Sequence, residues 1–283
     1  MVSISAAGRA LLSAAAPFWT LGLALGLWSL LGAAAAVQSS KCTKTHLETL
    51  RRTVPEGYVI FDKLKDKSVF TVWFKCENQQ LEFTTGIHEG THILTREINA
   101  YPLINGQTVA MVGEIRQLFR PGLLAPRFNP ASAYVENYLM PGQASSADEF
   151  GYLLDELNAY SHDLNAAVKL RHLARKDYDV MHRDGLAALM AFTAAYVERA
   201  RTQDKEAWAV LQSPDVRRSV ATLWGQAENV MGASCGVPRY GTETPDYLKP
   251  VCSANIRHGL GHLLGRPPLC PVSCLKATAE ALP

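Results

Sequence analysis

The sequence predicts an α+β domain: a small β-sheet packed on a helix, then a mainly helical half and a disulfide-rich C-terminal segment. Three observations lead there. The first hundred residues past the leader hold β-branched and aromatic runs, the middle of the chain holds long segments with helical periodicity, and cysteines cluster in the last fifth. With 283 residues, 48% hydrophobic and 19% charged, the chain is large enough to bury a substantial core.

The order of elements follows from local pattern. Between Ala10 and Ala36 no residue is charged, and the run ends in small residues with Ala34-x-Ala36 before Val37. This reads as a cleaved secretory signal over residues 1–36, with an uncleaved anchor as the alternative, and it places the mature chain in a secreted or periplasmic setting without a membrane span. One domain over residues 37–283 follows, with a β-rich part at 37–130, a helical part at 131–232 and a Cys-rich tail at 233–283. Leu47 and Leu50 suggest a short helix. Tyr58 to Phe61 and Val69 to Phe74 read as two strands of a hairpin, with Phe70, Trp73 and Phe74 at its core and edge. A helix spans about Leu81 to Ile98, a strand lies near Val109 to Val112, and Pro121, Pro126 and Pro130 punctuate a loop. From Ser145 a long helix is expected with Ser146 or Asp148 as caps, followed by helices over residues 184–204 and 214–232. The tail from Ala233 reads as irregular.

The six cysteines are an even number in a chain routed to an oxidising compartment, so disulfides are expected, one among Cys42 and Cys76 and two among Cys235, Cys252, Cys270 and Cys274. Their connectivity within the second set is open. With 28 basic against 26 acidic side chains the chain has no electrostatic footprint for nucleic acid or anionic lipid.

The chemistry concentrates in "TTGIHEGTHIL", residues 84–94. On a helix His88 and His92, four apart, share a face and can point two imidazoles at one tetrahedral ion. Glu89 is rotated by about 100° and is free to reach a metal-bound water as general base. In a chain with eight histidines this pattern arises by chance about once in a hundred such sequences, which makes it specific enough to build on. His88-Glu89-Gly90-Thr91-His92 resembles the active-site helix of the zincin metallopeptidases. The metzincin continuation is absent, since Thr95 and Ile98 stand at its Gly and His places. The resemblance is therefore to the gluzincin pattern, and covers the motif and the helix downstream of it.

That resemblance implies a Zn2+ cofactor, a peptide or protein substrate, and a third ligand Glu on a later helix. Glu156 is favoured, because Ala159 three places on fits the pattern, and Glu149 is the second choice. The resemblance also offers Tyr160 and His162 as hydrogen-bond donors to a tetrahedral oxyanion. A second pair, His258 and His262, lacks the following Glu, and a bare His-x3-His arises by chance in about one such chain in five, so it reads as structural or as lining the cleft. With Cys270 and Cys274 it also has the spacing of a structural zinc site, in competition with disulfides. The rival to a peptidase is a non-catalytic secreted binding protein with a relic motif.

Overall fold

The computed structural model describes residues 41–143, 145–175 and 181–276. The expected signal over residues 1–36 lies outside them. Among the described residues no helix is long and apolar enough to cross a membrane. The fold is mostly helical with one two-stranded sheet and three disulfides.

Helix α1 (41–53) leads into α2 (Pro55–Lys63) and α3 (Ser68–Thr71). These replace the expected hairpin. The aromatic and β-branched content of "GYVIFDK" suggests a strand, but its buried positions run Val54, Gly57, Ile60, Phe61 and Leu64, which is helical spacing, and Pro55 starts the helix where its missing N–H costs nothing. Phe70 and Phe74 are likewise four apart and buried, while Trp73 is turned outward. The N-terminal part is therefore not β-rich.

The motif helix α4 (Gln79–Ile98) is fixed at both ends. Asn78 caps it by accepting from the Leu81 N–H, and the Glu82 carboxylate accepts the backbone N–H groups of Cys76, Glu77 and Asn78 at 2.7–2.8 Å. Asn99 closes it in the left-handed conformation, at φ 52°. One face packs on α2 and α3 through Phe83, Ile87 and Leu94. Gly90 permits that approach, since a Cβ there would meet the Phe70 ring at 2.9 Å. Each large apolar side chain sealed in this cluster contributes about 1.5–3 kcal/mol of burial.

Strands β1 (Ala100–Pro102) and β2 (Thr108–Ala110) follow and pair antiparallel, Tyr101 opposite Val109. The expected strand near Val109 is β2, and its partner is the segment directly after α4. Next come α5 (Ala133–Leu139) and α6 (Phe150–Lys169). The latter starts later than expected, with Glu149 rather than Ser146 or Asp148 at its N-cap. Helix α6 lies against α4 in the most extensive helix contact of the fold.

Helix α7 (His182–Gln203) is buried almost throughout, as its run of Ala, Leu, Met and Phe dictates, and forms the centre around which α6, α8 (Lys205–Leu211) and α9 (Pro214–Ser234) gather. The tail is not irregular: it carries α10 (Thr244–Val251) and α11 (Ala254–Leu264). Its Cys, Pro and Gly content obscures a buried series, Tyr247, Leu248, Val251, Ile256, Leu260 and Leu263, at helical spacing. Cys42–Cys76, Cys235–Cys274 and Cys252–Cys270 are joined, a set that fits an oxidising compartment.

Candidate metal centre

Helices α4 and α6 bring His88, His92 and Glu156 together, with one donor atom from each within 4.8 Å of the others. The His88 and His92 Nε2 atoms are 3.2 Å apart, and Glu156 Oε2 lies 3.6 and 3.5 Å from them. A tetrahedral zinc with bonds of about 2.0–2.1 Å spaces its ligand atoms by about 3.3–3.4 Å. The triangle of donors thus has the edge lengths of one face of that tetrahedron. Glu156 Oε2 is buried with no hydrogen-bond partner among the described residues, an arrangement costly for a carboxylate oxygen unless a cation completes it.

The hydrogen bonding behind the donors selects the right nitrogen. His92 Nδ1 donates to Asp155 Oδ2 at 2.7 Å; a carboxylate only accepts, so Nδ1 carries hydrogen and Nε2 faces Glu156 and His88. Asp155 directly precedes Glu156 on α6. The 100° between neighbours is what lets the two carboxylates divide the work, one toward the donor triangle and one toward the outer nitrogen of His92.

Charge is arranged accordingly. Burial disfavours the imidazolium of His92, but the Asp155 and Glu156 carboxylates more than reverse this and push its pKa up to about 10. Burial would raise Glu156, and the His88 and His92 rings beside its carboxylate bring it down to about 2. The pocket favours positive charge at its centre, which suits the donor set to a divalent cation with N and O preferences.

The remaining expected residues separate into two groups. Glu89 is half-buried on the same turn as His88, and none of the described residues bonds or pairs with its carboxylate. Tyr160, one turn after Glu156 on α6, sets its ring edge against His88 at 4.7 Å between centroids and shares a 2.8 Å hydrogen bond with Tyr138. Burial, then Tyr138, holds its hydroxyl protonated well above the usual phenol range. Gly185 of α7 lies against that ring so closely that a Cβ would stand 2.1 Å from Tyr160 Cε1. Tyr152, which the sequence reading did not single out, stacks beside His92.

Glu149, by contrast, is exposed at the N-cap of α6 and is not part of the donor group. His162 is neither a surface residue nor part of that group. It is buried and donates Nε2–H to the Pro102 carbonyl at 2.9 Å, which Asn158 also reaches, tying α6 to β1. Burial pushes its pKa down to about 4. The structural zinc reading of His258, His262, Cys270 and Cys274 fails because both thiols are in disulfides. The same holds for Cys42 and Cys76 beside His46.

Comparison with protein-family models, with curated proteins and with solved structures finds no match to this chain.

Proposed function

We propose that the chain is a secreted or periplasmic zinc-dependent peptidase of the gluzincin type. One observation carries the reading: three donor atoms on two packed helices are spaced as one face of a zinc tetrahedron, around a buried carboxylate oxygen with no other partner. His88, His92 and Glu156 would hold the ion. Bound there, zinc would supply Lewis acidity, lowering the pKa of water toward about 7 and polarising a carbonyl.

The chain's own groups do the rest. The unengaged Glu89 carboxylate, one residue from a ligand, takes the proton of the attacking water and returns it to the leaving amine nitrogen. Tyr160 keeps its proton and sits against His88. Its O–H, shared in a hydrogen bond with Tyr138, would turn to the oxyanion that forms at the scissile carbonyl. Asp155 orients His92 and makes it a better ligand. His88 retains 13% side-chain exposure, against 2% for Glu156, so the accessible side of the triangle is that of His88 and Glu89. An accessible fourth position separates a catalytic centre from a closed structural one.

The test is cleavage of a pool of internally quenched peptides by the mature protein loaded with zinc. Hydrolysis that stops with chelator and in Glu89→Gln, while that variant keeps its zinc, supports the reading. Zinc-loaded protein without cleavage, or cleavage undiminished in Glu89→Gln, overturns it and leaves a binding protein.

A further inference from the structure

His258 and His262 repeat the geometry of the first pair on the opposite kind of surface. They sit four apart on α11, with their Nε2 atoms 3.2 Å from each other, ring centroids 4.6 Å apart and planes at 90°. Both are exposed. Two nitrogens at that separation match two adjacent corners of a metal coordination sphere with bonds of about 2.0–2.1 Å.

The helix beneath them is held firmly. Ile256, Leu260 and Leu263 are buried on its inner face, and Arg217 Nε donates to the Leu263 carbonyl at 2.7 Å. The Cys252–Cys270 disulfide spans the helix from one flank to the other. Rigid backing of this kind keeps two imidazoles convergent before any ion arrives and reduces the ordering cost of chelation. Among the described residues no third His, Cys, Asp or Glu completes the group, and no carboxylate stands behind either ring as Asp155 does behind His92.

We infer that His258 and His262 form a second, surface metal site that chelates a borderline divalent cation through two imidazoles, its other positions filled by water. Imidazole donors suit Zn2+, Ni2+ and Cu2+, and the order of divalent affinities puts Cu2+ first. With two neutral ligands and no charge to compensate the ion, the site binds and releases rapidly. It is independent of the proposed catalytic centre, so either can fail without the other.

The experiment is retention of the untagged mature protein on immobilised Cu2+, together with Cu2+ titration, for wild type, His258→Ala, His262→Ala and His172→Ala. His172 is exposed but unpaired with another histidine, and controls for a lone surface ring. The wild type and His172→Ala should be retained at neutral pH and released on acidification, because protons displace metal from imidazole. Each variant of the pair should elute early and lose at least about tenfold in Cu2+ affinity, since the second imidazole no longer binds at high effective concentration. Both side chains are exposed, so unchanged helical circular dichroism is expected. Retention and affinity unchanged in both His258→Ala and His262→Ala would overturn the site.

Discussion

Two histidine pairs in this protein have the same spacing and the same 3.2 Å between Nε2 atoms, yet their surroundings have almost nothing in common. His88 and His92 face a second helix that supplies Glu156 between the rings and Asp155 behind one of them. His258 and His262 face solvent on α11, whose inner face packs through Ile256, Leu260 and Leu263. An i, i+4 pair thus fixes a distance and nothing more. The carboxylates of α6 turn that distance into a charged, buried, three-sided pocket, and the catalytic candidate Glu89 belongs to the pair that has them.

The largest expected effect is Glu89→Gln, which should lower peptide hydrolysis by about 10²–10⁴-fold with zinc content unchanged, as loss of a general base does; steady-state kinetics beside elemental analysis reads both. Asp155→Asn should come next. It leaves the three donors in place but weakens the hold on His92, so zinc affinity measured by chelator competition should fall about 10–100-fold.

Tyr160→Phe should reduce kcat by about tenfold or more with KM little changed, if its O–H serves the oxyanion alone. Gly185→Ala should show a similar loss by displacing the Tyr160 ring, and should also lower stability by about 1–3 kcal/mol in denaturant unfolding.

His162 gives a pH signature away from the His88, His92 and Glu156 donors. Its pKa is pushed down to about 4 in the folded chain against about 6.5 unfolded. Between those values the unfolded state binds the extra proton, so this contribution is present above about pH 6.5 and is lost as pH falls toward 4. Unfolding free energies at pH 7 and pH 5 should differ by on the order of 1–3 kcal/mol from this residue, and the difference should shrink in His162→Gln. At the small end, His258→Ala should change neither hydrolysis nor stability by more than about 0.5 kcal/mol, as expected for an exposed side chain.

The helix-bearing chemistry was legible in the chain because short-range rules govern it. The His88–His92 face, the cysteine count of each half and the helices α7 and α9 all follow from spacing or composition. The N-terminal region is helical despite its aromatic and β-branched content, because the spacing of Val54, Gly57, Ile60 and Leu64 lets one face of the helix bury against α4. The same spacing argument, applied to Leu248, Val251, Ile256, Leu260 and Leu263, would have found the helices of the tail. Asp155 was out of reach for a different reason. Its role depends on which way α6 is rotated against α4, a long-range fact that no local pattern contains.

The central claim is that His88, His92 and Glu156 hold zinc. The most direct measurement is zinc per chain by elemental analysis after reconstitution and dialysis, in a His258→Ala background that removes the surface pair, with and without Glu156→Ala. The account predicts about one zinc per chain in the background, largely lost with Glu156→Ala and kept with Glu149→Ala, as a site with three protein ligands requires. No zinc in the background, or zinc undiminished by Glu156→Ala, would contradict it.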